Sequence, residues 1–466
     1  KCPHSHRAGI PSENLVLRWY CFEHRLTYSE GIRRYFFQSS CGICQTFVFN
    51  EFLLSFYFMT SFYLSKPYQP PHAPQNLPLN EPWALFGGIS PDQFMKRYWH
   101  KKPLLIRGAI PAFSLAKKNA SELSSPISTQ ELFELADNEL LESRLIQSKP
   151  WSLKSGPFKR KAIPKIDQAD WTLLLQGMEA HHPTAAAILS WFRFIPDARL
   201  DDLMISIAGV GGGVGPHFDS YDVFLIQMSG RRRWRISEQK DLTLNPNLPM
   251  KILQDFRVDQ EWDLEPGDML YLPPHIAHDG IALDAGCQTW SVGFRSQSYK
   301  EILQEGLWRL AESLEDIPEL NKRFADPKQT ATHCAEQLPT EIIAQVEQKL
   351  KGLKLDRVDT FLPGIAAYLS EPKPQAYFDG TANKLSPEQF RRQLSKQALQ
   401  AHPYTRLLAL GSRIYCNGEE MTDGQNALTQ AAWRSLASSK QFKGPLGKIG
   451  VNNSLFEAFE AGWLIF

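Results

Sequence analysis

The stretch from Gly213 to Ile236, GVGPHFDSYDVFLIQMSGRRRWRI, carries the strongest fold signal in the chain. His217 and Asp219 lie two residues apart, so on a strand both side chains project from the same face. A second histidine, His278, follows much later, after the two prolines of YLPPHIAHDG. Two histidines and one carboxylate on neighbouring strands form a facial triad that leaves coordination positions open, as non-haem Fe(II) oxygenases require. We therefore predict that His217, Asp219 and His278 hold Fe(II).

His275 competes with His278 for the third ligand position. Pro273 and Pro274 predict a rigid turn that leads the next residues back into the fold. His278 is closer to the start of the strand that follows this turn, and we favour it for that reason. The alternative to a metal site is that His217 and His278 are unrelated loop residues.

Arg232 indicates a bound anion. We predict a hairpin over Asp222–Ile236 that turns at Ser229-Gly230, and on its return strand Arg232, Trp234 and Ile236 share the inner face. A buried guanidinium requires an anionic partner. A dicarboxylate cosubstrate such as 2-oxoglutarate supplies one, and a structural salt bridge to an Asp or Glu is the alternative. The remaining arginines of this strand, Arg231, Arg233 and Arg235, are interpreted as a solvated face.

Three further residues near the triad are candidates for ligand contacts. Ser206 precedes the triad on a predicted strand and could bind a cosubstrate carboxylate, although a bond to the backbone explains a buried serine equally well. Tyr221 and Asp222 follow the triad and could face a cationic substrate. The glycines around Gly211 are not a phosphate loop, because no Lys-Ser or Lys-Thr follows them.

Short apolar runs separated by glycine and proline predict the architecture. We expect strands at Leu203–Ala208, Asp222–Gln227, Arg233–Ile236, Met269–Leu272 and Thr289–Arg295. Such spacing is typical of a sandwich or a double-sheet jelly roll, the cupin architecture. The expected fold class is α+β, with a double-stranded β-helix as the catalytic core.

The flanking sequence has helical patterns. We expect helices around residues 129–144 and 170–193, and capping boxes open helices at Ser90 and Ser386. The helical period returns over residues 300–369, and residues 372–466 form a small α+β unit with a hairpin turning at Asn417-Gly418.

The N-terminal residues differ from the rest. The first methionine is Met59, and we interpret residues 1–58 as an over-extended gene model. They contain Cys41-Gly-Ile-Cys44, but no second pair follows at zinc-finger spacing. The apolar run Phe52–Leu64 is too short to cross a bilayer. Residues 65–82 are proline-rich and predict an extended linker.

Composition excludes several classes of protein. With 466 residues, the chain has room for roughly two to four domains. A formal charge of +1 argues against binding polyanions through bulk charge. Seven cysteines are too few for a disulfide scaffold, so we expect a reducing, cytoplasmic location with buried thiols at Cys287, Cys334 and Cys416.

Taken together, these motifs resemble those of the bacterial ribosomal oxygenases of the JmjC family, in particular the arginine 3-hydroxylases of 50S ribosomal proteins. The resemblance extends over about residues 85–466. The segments that carry it are DDLMIS (201–206), GGGVGPHFDSYDVFLIQ (211–227), GRRRWR (230–235), LEPGDMLYLPPHIAHDG (264–280) and SVGFR (291–295). The sequence departs from the family at His275, where the family usually has glycine.

The resemblance implies four regions: an N-terminal extension and linker (1–84), a JmjC cupin oxygenase domain (85–299), a helical dimerisation region (300–371) and a winged-helix-like domain (372–466). It implies Fe(II) on the triad, with 2-oxoglutarate bound by Arg232 and Ser206, and O₂ as the oxidant. It further implies hydroxylation of an arginine β carbon in a 50S ribosomal protein, with release of succinate and CO₂.

Several readings stay open on sequence alone. The same chemistry could act on a histidine of another ribosomal protein or on a methyl-lysine, and a metal-binding cupin without activity is also compatible with the triad. A third class, a nucleic-acid-binding regulator, would use residues 372–466. Because this unit lacks a strong basic excess, we expect it to help dock a ribosomal protein, with no direct nucleic-acid binding. We also expect a homodimer and no membrane insertion.

Overall fold

The computed structural model describes residues 78–110, 125–332, 337–355, 357–380, 385–446 and 453–466. The N-terminal predictions, namely the start at Met59, the Cys41–Cys44 pair and most of the linker, therefore lie outside the described residues. Cys334 lies outside them too. Among the described residues, no helix combines the length and the apolar character needed to cross a bilayer.

Two antiparallel sheets form the walls of a barrel in the β-rich block. The larger sheet has eight strands in the order β1-β9-β6-β11-β5-β4-β2-β3, and the smaller has three in the order β10-β7-β8. The strands are β1 (Leu104–Ile106), β2 (Ser143–Ser148), β3 (Trp151–Ser155), β4 (Trp171–Leu175), β5 (Leu200–Ala208), β6 (Val223–Ser229), β7 (Arg232–Ser237), β8 (Gln260–Leu264), β9 (Met269–Leu272), β10 (Ala277–Ala282) and β11 (Cys287–Phe294). The mixed helix and sheet content and the large antiparallel sheet agree with the predicted cupin-like core.

Helices cover the outer face of the large sheet. They are α1 (Pro91–Arg97), α2 (Thr129–Leu135) and α3 (Pro183–Ser190). The main core lies on this face, where Phe94, Phe224, Tyr271 and Trp290 are fully buried. Fully burying one such side chain stabilises the fold by roughly 1.5–3 kcal/mol. This packing fixes the large sheet as a rigid wall behind the site.

A smaller apolar cluster lies between the two sheets. Val223 and Leu225 of β6 meet Trp234 and Ile236 of β7, while Phe224 of β6 points to the outer core. β6 therefore buries both of its faces, which explains its nearly uninterrupted apolar sequence.

The turn at Gly230 does not close a hairpin. β6 and β7 belong to different sheets: β6 pairs with β9 and β11, and β7 pairs with β8 and β10. The predicted hairpin is therefore wrong, because the chain crosses from one sheet to the other at Gly230, where φ is +61°. The inward direction of Arg232, by contrast, is confirmed, since its side chain is 4% exposed.

One helix prediction is also wrong in part. The segment Trp171–Leu175, expected to start a helix, is the fully buried strand β4, and the helix of this region is confined to α3. A short apolar run that is buried on both faces has no alternation, so its period cannot distinguish strand from helix. Likewise, α2 ends at Leu135, well before residue 144.

Three helices follow the barrel, as the periodicity predicted: α4 (Tyr299–Ser313), α5 (Thr340–Gly352) and α6 (Leu362–Leu369). The capping boxes at Ser90 and Ser386 are confirmed, with each serine Oγ accepting from the backbone N–H of the glutamine three residues later.

The C-terminal unit has its own core, in which Phe390, Trp433 and Phe456 are buried. Its elements are α7 (Pro387–Leu394), β12 (Leu399–Ala401), β13 (Leu407–Leu410), β14 (Arg413–Cys416), β15 (Glu419–Glu420), α8 (Ala427–Ser439), β16 (Gln441–Phe442), α9 (Ser454–Glu460) and β17 (Leu464–Ile465). The hairpin turn at Asn417-Gly418 is confirmed. Cys287 and Cys416 are buried free thiols, as expected.

Candidate functional site

His217 and His278 are joined through their backbones. An isolated antiparallel bridge pairs them: the His217 N–H donates to the His278 carbonyl at 2.9 Å, and the His278 N–H donates to the His217 carbonyl at 2.7 Å. His278 lies on β10. His217 and Asp219 had been expected on a strand, but they lie in the loop between β5 and β6. The bridge still brings the two imidazole rings to a centroid distance of 4.2 Å.

The imidazoles are also oriented in advance. Nδ1 of His217 is 2.8 Å from the Gly215 carbonyl, and Nδ1 of His278 is 2.9 Å from the Ile276 carbonyl. Because a carbonyl only accepts, each Nδ1 carries the proton and each Nε2 keeps a free lone pair. Such outer hydrogen bonds are typical of histidines that ligate metals.

Asp219 completes a group of three possible ligands. One ligand atom from each of His217, Asp219 and His278 can be chosen so that all three lie within 4.8 Å of one another. The Asp219 carboxylate is 3.7 Å from His278 Nε2. Burial and the neighbouring His217 lower the pKa of His278 to about 4, so this imidazole is neutral and able to bind a metal at physiological pH. The donor set and its spacing therefore fit a divalent transition metal.

His275, the competing candidate, is not part of this group. Its backbone N–H donates to the Asp219 carbonyl at 2.7 Å, and its side chain is exposed. Its φ is +65°, in the left-handed region that favours glycine. The turn thus places His278, and not His275, beside Asp219.

Arg232 enters the barrel without an anionic partner. Its Nη1 donates to the Gly280 carbonyl at 3.0 Å, whereas Nε and Nη2 are buried and have no hydrogen-bond partner among the described residues. The alternative of a structural salt bridge would need an Asp or Glu here, and the described part of the chain supplies none within ion-pair distance. Two buried donors on one guanidinium fit a carboxylate that binds both at once.

Other polar atoms on the inner face also lack partners. The Thr172 hydroxyl on β4 and the Trp234 indole N–H on β7 are buried with no hydrogen-bond partner in the described segments. Strand register puts Thr172 opposite Ala208, and Ala208 packs with Ala282, which is opposite Arg232. Unsatisfied buried polar groups are rare in folded proteins, so their presence on this face supports a polar ligand.

Ser206 lies on the inner face of β5 and is buried. Its hydroxyl donates to the Thr289 carbonyl at 3.2 Å. This is the backbone bond that sequence reasoning kept as the alternative to ligand binding. To donate to a cosubstrate carboxylate, the Ser206 hydroxyl would have to rotate away from Thr289.

Gly293, Asp202 and Tyr221 border a small space beside the triad, which we call the slot over Gly293. The sequence analysis assigned no role to Asp202. A Cβ placed on Gly293 of β11 would lie 3.6 Å from Asp202 Oδ1 and 3.9 Å from a ring carbon of Tyr221. Tyr221 also hydrogen-bonds Asp219, and burial together with the Asp219 charge raises the pKa of its phenol. The missing side chain of Gly293 thus leaves at least the space of a methyl group between a carboxylate and an aromatic ring next to a triad residue. The Asp-Asp pair at the start of DDLMIS was the available signal for Asp202.

Asp222 does not face this slot. It is fully buried, accepts from the Tyr271 hydroxyl at 2.5 Å and lies 3.3 Å from His100 Nδ1. The suggestion that it faces a cationic substrate is wrong for this reason. The outward arginines behave as expected of a solvated face, with Arg233 paired to Asp263 and Arg235 to Glu261.

Comparisons with known proteins agree with this geometry. Residues 187–302 match the JmjC domain family. The chain is 31% identical to the ribosomal protein uL16 3-hydroxylase of Escherichia coli over 352 residues, which is 74% of this chain and 88% of that protein. It is 26% identical to human ribosomal oxygenase 1 over 216 residues, or 43% of this chain and 32% of the human protein.

Solved structures of the Escherichia coli ribosomal oxygenase YcfD share the fold. The complex of YcfD with cobalt and 2-oxoglutarate covers 80% of this chain and 97% of YcfD, at 28% identity and a TM-score of 0.62. A complex with cobalt and succinic acid matches equally well. The predicted resemblance is thereby confirmed, and the chain belongs to the JmjC family of ribosomal oxygenases.

Proposed function

We propose that the protein is an Fe(II)- and 2-oxoglutarate-dependent dioxygenase that hydroxylates the β carbon of an arginine in a 50S ribosomal protein. The observation that carries this proposal is Arg232, a buried cation with two unpaired donors in the barrel that also holds a His-Asp-His group. When bound, iron with O₂ and 2-oxoglutarate supplies an oxidant able to hydroxylate an unactivated C–H bond, and the cosubstrate leaves as succinate and CO₂.

His217, Asp219 and His278 would hold the metal. Their possible ligand atoms lie within 4.8 Å of one another, and the two Nδ1 atoms stay hydrogen-bonded to Gly215 and Ile276. Three protein ligands leave positions for the cosubstrate and O₂. The low pKa of His278 means that its imidazole needs no proton removed before it binds.

Arg232 would bind the far carboxylate of 2-oxoglutarate through Nε and Nη2, the two atoms that have no partner among the described residues. Its Nη1 stays on Gly280 and fixes the plane of the guanidinium. Ser206 would add a hydrogen bond once its hydroxyl leaves Thr289. A dicarboxylate held in this way keeps its other end directed at the triad.

The slot over Gly293 would take the substrate side chain. Asp202 Oδ1 offers a hydrogen-bond acceptor, and the Tyr221 ring offers an aromatic face, two features that suit a guanidinium. An uncharged imidazole would gain less from the carboxylate. The slot therefore favours an arginine substrate over a histidine substrate. The two alternatives share the same chemistry and differ only in the substrate residue that enters the slot.

A direct assay decides between these readings. The enzyme is loaded anaerobically with Fe(II) and 2-oxoglutarate, exposed to O₂ with peptides from large-subunit ribosomal proteins, and analysed by mass spectrometry. The first substrate to test is uL16, which the name of the Escherichia coli relative identifies as its target. We expect +16 on an arginine, lost in Asp219→Ala and Arg232→Ala. Oxidation of histidine alone would favour the alternative target, and metal binding without oxidation or succinate would favour a non-enzymatic cupin.

A homodimer through residues 300–371 is part of the proposal. No residue of α5 is buried, and Ile343, Val346 and Leu350 on this helix are each about half exposed. Exposed apolar stripes of this kind are typical of association surfaces. Light scattering of the wild type and Val346→Glu tests it, and a wild-type monomer would contradict it.

The remaining assignments rest on the resemblance. We propose that residues 372–466, as a winged-helix-like unit, help to dock the ribosomal protein in the cytoplasm without binding nucleic acid directly. Electrophoretic shift with rRNA and DNA is the test, and tight salt-sensitive binding would contradict the proposal.

A further inference from the structure

Asp202, which borders the substrate slot, has two oxygens in different surroundings. Oδ2 accepts from Gln176 Nε2 at 2.5 Å and from the Gly177 N–H at 3.2 Å, and it pairs with Lys373 Nζ at 2.7 Å. Oδ1, the oxygen beside Gly293, accepts from none of the described residues. One side of the carboxylate is thus saturated while the other stays available.

Lys373 does not belong to the barrel. It lies between α6 and α7, in the segment that joins the helical region to the C-terminal unit. Its ammonium reaches both Asp202 and Asp201, the latter at 3.4 Å, and its side chain is 24% exposed. Burial lowers the pKa of Lys373, but the charges of Asp202 and Asp201 outweigh it and raise the pKa, so the ammonium stays charged.

The segment that carries Lys373 is held from two sides. Arg295, at the end of the barrel, donates to the carbonyls of Leu369 and Glu371 at 2.9 and 3.2 Å. From the C-terminal unit, the Gly418 N–H donates to Ser370 Oγ at 3.1 Å. The position of the ammonium therefore depends on both parts of the protein.

The neighbouring aspartate has other cations, whereas Asp202 has only one within ion-pair distance among the described residues. Asp201 pairs with Arg406 at 3.3 Å and Arg295 at 3.7 Å, so it remains paired without Lys373. Asp202 would lose its cation and keep only the amide donors of Gln176 and Gly177. The specific effect of Lys373 therefore falls on Asp202.

We propose that Lys373 is a positioning residue for the substrate arginine: it holds Asp202 Oδ2 so that Oδ1 faces the slot over Gly293. The proposal rests on the proposed function and extends it, because it makes recognition of the substrate depend on a residue outside the oxygenase barrel. Lys373 touches neither substrate nor metal, and it acts through Asp202.

Binding measured without turnover tests this role. The full-length protein is loaded with Mn(II) and 2-oxoglutarate, and the affinity for a labelled uL16 peptide is compared with that for the same peptide carrying citrulline at the target position. In Lys373→Met we expect arginine-peptide binding to weaken about tenfold, as for loss of one charge-assisted contact, with little change for citrulline. Lys373→Arg should recover most of the difference, and affinity for 2-oxoglutarate should not change.

Lys440→Met is the matched control. Like Lys373, Lys440 follows the barrel in sequence and pairs with an aspartate that precedes it, namely Asp197 in the connection between α3 and β5, at 3.1 Å. If each substitution loosens the contact between the two parts, the melting temperature should fall in both variants. Only Lys373→Met should reduce the preference for arginine over citrulline.

The outcomes separate the two proposals. The positioning role would be overturned if folded Lys373→Met bound the arginine peptide as tightly as wild type does. It would also be overturned if Lys440→Met lost as much affinity for that peptide as Lys373→Met. Wild type that does not distinguish arginine from citrulline would overturn it too. Preferential binding of arginine without a +16 product under O₂ would instead contradict the proposed function and leave the positioning role supported.

Discussion

His217 and His278 exchange backbone hydrogen bonds of 2.9 and 2.7 Å, so the two imidazoles are fixed opposite each other by the main chain. Carbonyls two residues before each histidine then fix the rings. Every one of these bonds lies within the protein, so the chain itself supplies the contacts that orient the two rings. A preorganised site of this kind loses little conformational entropy when the ion binds.

The choice between His278 and His275 leads to the first prediction. We expect His278→Ala to weaken Co(II) binding by more than about 100-fold, since even indirect contacts to a metal ligand are worth 10–100-fold. His275→Ala should bind Co(II) within about two- to threefold of wild type, because the His275 side chain is exposed and only its backbone contacts Asp219. Titration followed by visible absorption of Co(II) measures both, and equal losses in the two variants would refute the assignment.

Arg232 gives the second prediction, with a control on the same strand. Arg232→Met should weaken 2-oxoglutarate binding by about 100-fold, as for truncating one partner of a buried charge pair. Arg233→Met should not, because Arg233 points to the other face and pairs with Asp263 at 2.7 Å. Calorimetric titration with 2-oxoglutarate in the presence of Mn(II) compares the two.

Thermal unfolding of the same variants provides an independent check. Without ligand, Arg232 is a buried cation with two unpaired donors, so replacing it by an apolar side chain of similar length should not lower the melting temperature. With 2-oxoglutarate, the wild type should be stabilised and Arg232→Met should not. A ligand-free Arg232→Met that is strongly destabilised would mean that the arginine has a structural partner.

Much of this site is readable from the sequence because it depends on local rules. Alternation along one strand placed Arg232, Trp234 and Ile236 on the inside, and their burial confirms it. The spacing of His217 and Asp219 predicted that both would lie in one group with His278, and they do. They reach it from a loop and not from a strand.

Relations between distant segments were not readable in this way. The crossing from one sheet to the other at Gly230 looks like a hairpin turn in sequence, because both need a positive φ after a strand. The buried run of β4 has no alternation to mark it as a strand. Asp202 acquires its place in the slot only because β5 pairs with β11 and sets it opposite Gly293.

The slot over Gly293 is tested by adding volume in steps. Gly293→Ala should be tolerated, since its Cβ would be 3.6 Å from Asp202 Oδ1, an ordinary contact distance. Gly293→Leu should fill the gap and raise the KM for the protein substrate by about tenfold or more, because its side chain would occupy the space proposed for the substrate side chain. Uncoupled conversion of 2-oxoglutarate to succinate should continue in both variants. Equal loss of coupled and uncoupled turnover in Gly293→Leu would indicate damage to the site as a whole.

Glu179 predicts how stability varies with pH. It is buried beside Asp202, and its carboxylate accepts from the Leu203 N–H at 2.9 Å. Burial, and after it the charge of Asp202, raises the pKa of Glu179 from an ordinary 4.5 to about 7. Between these two values the folded protein holds a proton that the unfolded chain has released. The contribution of Glu179 to the free energy of unfolding is therefore fully present below about pH 4.5 and falls as the pH rises to about 7.

Glu179→Gln should remove this dependence, because an amide resembles the protonated acid and cannot release a proton. Urea unfolding at about pH 5 and about pH 8 should show a smaller loss of stability in Glu179→Gln than in wild type. Glu347→Gln is the control, since Glu347 is an exposed partner of Lys351 on α5. If wild type and Glu179→Gln lost the same free energy of unfolding between the two pH values, Glu179 would be ionised over this whole pH range.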